Sequence, residues 1–299
     1  MKKSVLFLCL IFSTSQLCLS QEWLTSLDVA KRLALIQDKM IFMMWEEATY
    51  EVFPVVVDDE SGKRVVINNL FEAKYLNKLI WEHFIPVTVS ESMYKDLYDD
   101  INGKRSLTYI DKFNDDSVKI MDVNGNIINT AFTYDEILNL TALIRKYYLD
   151  TSFLKGELIA YSSHKNFNTA FHLCSKYIDL AIYVNDDVKL ETIKLSSIYW
   201  DEASRYLLDS DLNNKEALTQ KLNLLTIQHG LVLNKAKKVL RQLKRIDSSE
   251  IDKNNEPLVA FLYLTAYRLL GDEKNASAWR SKVSLVNLKK ANAIITNAQ

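Results

Sequence analysis

Cysteine is scarce in this chain: 299 residues carry three, Cys9, Cys18 and Cys174. Six glycines and three prolines leave long stretches without a residue that breaks regular structure, which predicts long helices. Neither sign of charge dominates, with 37 basic against 38 acidic side chains, so the electrostatic footprint of a nucleic-acid-binding protein is missing. Long apolar runs are missing as well. The run from Val5 to Phe12 falls far short of the ~20 residues that cross a hydrocarbon core, so no transmembrane segment is expected. There is no Gly-rich phosphate loop and no Gly-x-Ser-x-Gly elbow, and His83, His164, His172 and His229 are too scattered for a zinc-ligand spacing. Neither a cofactor nor a metal is expected.

Residues 1–20 have the order of a secretory signal peptide: Lys2-Lys3, the apolar run, then Leu17-Cys18-Leu19-Ser20 before Gln21. Cys18 follows Ser15-Gln16-Leu17, which departs from the Leu-small-small order of a lipobox, so lipidation is not expected. Removal of this segment leaves 35 basic and 38 acidic side chains, a net charge of −3, and one thiol, Cys174. With no internal disulfide possible, the exported chain must be held by buried apolar surface, which its size supplies as one large or two ordinary domains.

From residue 21 to about 150, helical and strand-like patterns alternate. Leu24, Leu27, Ala30, Leu33 and Ala34 recur at helical spacing, and Asp38-Lys39 separates them from the strand-length apolar run Met40 to Trp45. Val55-Val56-Val57 and Val65-Val66-Ile67 flank the polar Asp58 to Lys63 and predict a short hairpin. Asn68 or Asn69 is placed to cap a helix running to Trp81. Phe84 to Val89 reads as a strand and Met93 to Ile101 as a helix. Ser117 to Val123 and Asn126 to Ala131 flank Asn124-Gly125, the pair that favours a type I′ hairpin turn, and a further helix is expected from Thr133-Tyr134.

These elements resemble the thioredoxin-like fold, in the exported form that places a Trp-bearing helix before the first apolar strand. Trp23, Ala30, Lys39 to Trp45, Leu76-Asn77 to Phe84-Ile85-Pro86-Val87, and Asp122-Val123-Asn124-Gly125 with its hairpin carry the resemblance. It implies a Trp-Cys-x-x-Cys-Lys redox motif after the first strand, where this chain reads Trp45-Glu46-Glu47-Ala48-Thr49-Tyr50. Glu46 and Thr49 stand where the thiols would, and neither cycles between dithiol and disulfide. The resemblance also implies a cis-proline before the hairpin strand, and alignment back from Gly125 puts Asp116 there, followed by Ser117. Both parts of the redox site are therefore replaced. The Val55 to Ile67 hairpin interrupts the helix that would follow the motif and is placed to cover the former active-site face.

Beyond Asp150 the patterns are helical to the C-terminus. Asn168-Thr169-Ala170, Asp201-Glu202-Ala203, Asn234-Lys235-Ala236 and Lys274-Asn275-Ala276 are each expected to open an amphipathic helix. Their alanines recur at close to the ~34-residue period of helix-turn-helix repeats, which need a small residue where two helices touch. Ala266-Tyr267, Leu270-Gly271-Asp272, Ala276 and Trp279 resemble the tetratricopeptide pattern, and Tyr161 precedes Ala170 as Tyr267 precedes Ala276. The fold class expected is α/β plus all-α: a thioredoxin-like domain over 21–150 and a tetratricopeptide-like helical domain over 151–299. That resemblance implies a concave face that binds extended peptides or helices.

The remaining candidates have plain structural readings. Glu46-Glu47 is an acid/base pair only if both carboxylates point one way, which adjacent residues at a helix start do not. Asp58-Asp59-Glu60 lacks the spaced ligand set of a Ca²⁺ loop and suits a solvated hairpin tip. Cys174, in Ala170-Phe171-His172-Leu173-Cys174, reads as a core thiol rather than a nucleophile. Lys235 to Arg245 is a basic amphipathic segment with six cations, suited to an acidic partner or an anionic membrane surface, or simply to solvent while Leu233, Ala236, Leu240 and Leu243 pack inside.

The functional expectation is a non-catalytic binding or scaffold protein, exported to the periplasm or outer membrane of a bacterial envelope. There it would serve an assembly, secretion or uptake complex through protein partners and peripheral contact with a membrane complex. Trp45, Tyr161, Lys238, Arg241 and Tyr267 are the candidate partner contacts, and Glu46, Thr49 and Asp116 mark the lost redox site. The alternatives are a thiol oxidoreductase or isomerase acting through Cys174 alone, and a carboxylate-dependent hydrolase using Glu46 and Glu47.

Overall fold

The computed structural model describes residues 22–131 and 137–298. The signal-peptide segment with Cys9 and Cys18, and the helix start expected at Thr133-Tyr134, lie outside the described residues. The chain folds as a mixed α/β N-terminal half followed by a helical array.

The apolar run Met40–Trp45 forms strand β1, and all six of its side chains are buried, as a strand covered on both faces requires. On one side β1 pairs in parallel with β4 (Phe84–Val89), Met40 opposite Phe84; on the other it pairs antiparallel with β5 (Lys119–Met121), Met43 opposite Lys119. Single bridges extend both edges, Leu24 parallel to Val87 and Ile127 antiparallel to Met121. The order across this sheet is therefore Leu24, β4, β1, β5, Ile127. Helix α1 (Leu27–Gln37), capped by the Ser26 hydroxyl, packs on β4 and β1, and α2 (Lys74–His83) packs on β4.

The expected hairpin forms as β2 (Val55–Asp58) and β3 (Arg64–Ile67), and Asp59 Oδ1 accepts from the amides of Ser61 and Lys63 at its tip. Strand β2 also pairs in parallel with β6 (Leu138–Asn139), making a second sheet that packs on α5 (Leu140–Tyr147). Three other local expectations change. The helix expected from Asn68 or Asn69 begins at Lys74, because the Asn69 carboxamide is used earlier, accepting from the Phe71 amide at 3.2 Å. Helix α3 (Tyr94–Ile101) is followed by α4 (Leu107–Asn114), which the sequence reading missed. The Asn-Gly turn is not type I′, since Gly125 alone takes a positive φ, 87°. Asp122 instead organises a wider turn: its carboxylate accepts from the Asn124 and Asn126 amides, both at 2.9 Å.

The helical half comprises α6 (Lys155–Ser163), α7 (Phe167–Tyr183), α8 (Asp186–Leu208), α9 (Lys215–Val232), α10 (Ala236–Leu243), α11 (Glu256–Leu269), α12 (Glu273–Arg280) and α13 (Leu285–Thr296). Local chemistry sets several starts: an Asn166–Thr169 capping box for α7, a proline in the first turn of α11, and Asp272 and Ser284 caps for α12 and α13. Successive helices from α6 to α12 pack in turn, and α7, α9, α11 and α13 also touch one another in a row. The alanine recurrence does not mark equal units. Ala170, Ala236 and Ala276 do sit near helix starts, but Ala203 lies in the last two turns of the 23-residue α8. All four alanines are buried.

Buried apolar residues of both halves form one cluster. At the seam, Lys155 Nζ meets the Asp38 carboxylate at 2.9 Å, the Thr151 amide donates to the Asp38 carbonyl, and α5 packs on α8.

Candidate functional site

The corner after β1 holds the residues that replace a redox motif. Glu47–Thr49 form one 3₁₀ turn, with Glu46 before it and no long helix behind it, so the helix-terminus field that activates a thiol has no counterpart here. The Glu47 amide donates to the Glu91 carboxylate at 2.9 Å, and the Thr49 hydroxyl to the Glu46 carbonyl at 2.7 Å. Trp45 is not a surface contact: it is buried, its indole N–H donates to the Phe113 carbonyl at 3.0 Å, and its ring meets Phe113 edge-on at 5.3 Å.

A buried lysine stands beside Trp45 and a second shares its carboxylate partner, and the sequence reading missed both. Lys119 Nζ lies 5.7 Å from the centre of the Trp45 ring, hydrogen-bonds the Asp115 carbonyl and lies 3.3 Å from its carboxylate. Lys112 Nζ bonds the Ser117 hydroxyl and lies 3.4 Å from the same carboxylate. Burial lowers both amines, and it takes Lys119 to about 8. Asp116 is exposed on the loop between them. Asp116 acts on Lys119, and Lys119 lies beside Trp45, the residue before Glu46.

A second polar cluster joins the halves. The Asp122 carboxylate is fully buried and accepts from the hydroxyls of Tyr177 and Tyr199, in addition to the two amides of its own turn. Burial raises its pKa against the pull of those four donors. Beside it, Arg105 Nη2 donates to Asn126 Oδ1 and Glu202 Oε1, both at 3.1 Å, and the Tyr161 hydroxyl bonds the other Glu202 oxygen. Tyr161, expected on a concave binding face, is thus buried at the seam.

The other candidates are dispersed. Lys238 and Arg241 are exposed on α10, while Ala236, Leu240 and Leu243 of the same helix are buried. Tyr267 on α11 is half-buried, and its neighbour Tyr263 stacks on Trp279 at 4.4 Å. Cys174 is buried, with its sulfur 3.4 Å from the Ser196 hydroxyl, and burial pushes the thiol up to about 12, so it is protonated at neutral pH. His229 Nε2 lies 3.4 Å from the same hydroxyl, and burial lowers the imidazole to about 4. Among the described residues no three His, Cys, Asp or Glu side chains converge as a metal site, and no helix is long and apolar enough to cross a membrane. No protein-family model, curated protein or solved structure matches the chain.

Proposed function

We propose that this chain is a non-catalytic binding or scaffold subunit of a bacterial cell envelope, exported to the periplasm or outer membrane. In this reading a thioredoxin-like domain without redox cysteines is joined to a tetratricopeptide-like helical domain. The corner after β1 carries the proposal: Glu46 and Thr49 occupy it where the motif would have its thiols, Cys174, the one cysteine among the described residues, is buried in the helical half, and the sheet around the corner is intact. The strand order Leu24, β4, β1, β5, Ile127, parallel up to β1 and antiparallel beyond it, supports the thioredoxin-like reading, because that fold orders its strands in this way. The row α7, α9, α11, α13 supports a repeat-like array, in which one helix of each pair builds a continuous face.

Fold alone does not set function, so the partner surface must come from side chains. The exposed cations of α10, Lys238 and Arg241, and the half-buried Tyr267 of α11 supply charge and an aromatic anchor on adjacent helices. The test is affinity purification of the tagged protein from its native envelope in gentle detergent, with mass spectrometry of what stays bound. A stoichiometric partner that is lost from a Lys238→Glu, Arg241→Glu, Tyr267→Ala variant is the expected result. A partner-free monomer overturns the proposal, as does a bound set that the variant leaves unchanged.

A further inference from the structure

The two halves meet around a cleft of about 430 Å³ that the scaffold reading does not use. Five cations line it: Lys31, Lys104, Arg105, Lys165 and Arg205. Against them stand three carboxylates, Asp100, Glu202 and Asp209, and Glu202 is already committed to Arg105 and Tyr161. Among the described residues, no carboxylate comes within ion-pair distance of Lys104, Lys165 or Arg205. The lining itself therefore carries two more cations than carboxylates, a surplus that Asp28, 3.8 Å from Lys31, and Asp201, which acts on Arg105 and Arg205, partly offset.

Arg105 is the fixed member of the set. Only 7% of its side chain is exposed, Nη2 is held by Asn126 and Glu202, and Nε and Nη1 have no hydrogen-bond partner among the described residues. Those two nitrogens are themselves closed to solvent, so Arg105 offers a cleft anion its incompletely compensated charge, and direct charge-assisted hydrogen bonds once the guanidinium turns toward the cleft. The volume lies within the roughly 300–1,000 Å³ of small-molecule sites, and Phe113, Tyr161 and Tyr206 add aromatic wall for the body of a ligand.

We propose that this cleft binds a small anion bearing carboxylate or phosphate groups, held at the floor by Arg105 and at the rim by Lys104, Lys165 and Arg205. The site stands independently of the scaffold reading. Asp100 and Asp209 limit how much negative charge the ligand brings and offer acceptors to its hydroxyl or amine groups.

Isothermal titration of the purified chain with citrate and with inorganic phosphate, at ionic strength matched by sodium chloride, tests the proposal. Saturable binding of at least one anion is expected. Binding of citrate alone assigns a carboxylate ligand, and binding of phosphate alone assigns a phosphate-bearing one. Lys165→Ala with Arg205→Ala, both exposed positions that leave the core intact, should weaken binding about tenfold or more. Lys74→Ala with Lys78→Ala, exposed on α2 and outside the cleft lining, should leave it unchanged. Absence of saturable binding up to about 10 mM of either anion, or equal affinity in the Lys165 and Arg205 variant, overturns the proposal.

Discussion

The Tyr177 hydroxyl donates to the Asp122 carboxylate at 3.1 Å, across 55 residues of sequence. That contact ties a hairpin turn of the α/β half to the first long helix of the array. Asp122 and Tyr177 are both buried, and the stacked Tyr199 ring, 5.3 Å from that of Tyr177, supplies a further donor to the same carboxylate.

Replacing Asp122 with Ala should be among the most destabilising single changes in the chain. It strands two hydroxyls and two amides without an acceptor, and losses from breaking such a network are roughly 3–5 kcal/mol. Asp122→Asn keeps one acceptor oxygen and should lose less. The check is the midpoint of urea unfolding, with the exposed Asp116→Asn as control; equal midpoints for Asp122→Ala and the control would refute the role.

His229 should make stability sensitive to mild acid. Burial lowers its pKa to about 4 from an ordinary 6.5, so between those values the unfolded chain holds a proton that the folded chain lacks. Its stabilising contribution is complete above pH 6.5 and is lost as pH falls through 4, reaching a loss of about 2 kcal/mol by pH 5. The buried carboxylates of Asp122, Asp179 and Glu191 have raised pKa values and act in the opposite direction, so the measurement must be a difference. Subtracting the unfolding free energies of His229→Gln from those of the parent between pH 7 and 5 isolates the imidazole. A difference that stays constant with pH would contradict the assignment.

Four strands were legible because they announced themselves locally, whereas β6 at Leu138–Asn139 went unread and the hairpin expected over 117–131 shrinks to β5 and a single bridge at Ile127. Met40 to Trp45 and Phe84 to Val89 are apolar runs of strand length, and both form strands with those ends. The α4 helix went unread although Ser106 caps it and Leu107, Ile110 and Phe113 recur at helical spacing, because the signal spans only eight residues. The seam was out of reach for a different reason. Nothing near Asp122 in sequence names Tyr177 or Tyr199, and Arg105 and Glu202 meet only after 97 residues. Tyr161 was noticed, but by analogy with Tyr267, which assigned it to a binding face and not to the carboxylate that it contacts. Periodicity reports which side of an element is buried; it carries no record of what lies opposite.

Lys119 predicts an alkaline effect of the opposite origin to a surface amine. Burial lowers it to about 8, so from there to its ordinary 10.5 the unfolded chain is protonated while the folded chain is not. Stability should therefore rise with pH above 8, an increase worth about 3 kcal/mol in full. In Lys119→Met the part of that slope owed to Lys119 should vanish, leaving the smaller rise that the buried Lys112 contributes. Because Asp115 is 43% exposed and can turn to water, the substitution should change stability at pH 7 by no more than about 1 kcal/mol. Unfolding between pH 8 and about 9.5, below the titration of unfolded tyrosines, is the measurement; parallel curves for parent and variant would exclude a depressed amine.

Gly230 on α9 faces Val239 on α10 closely, and it tests how tightly the two helices are set. A Cβ at this position would sit 2.7 Å from Val239 Cγ2, and Val239 is fully buried on α10. Helix propensity alone favours Gly230→Ala by up to ~1 kcal/mol, but the methyl cannot be placed unless the helices part or Val239 changes rotamer. Such overpacking costs roughly 1–3 kcal/mol, so a net loss is expected. Val239→Ala alone should also destabilise, by leaving a cavity. The two together should cost less than their sum, since each removes the other's fault, and a coupling of about 1 kcal/mol or more in a double-mutant cycle is the signature of direct contact. Additive losses would mean that α9 and α10 do not touch at this point. The helix contact would then have to be sought at the buried Ala236, where the alanine recurrence had placed it.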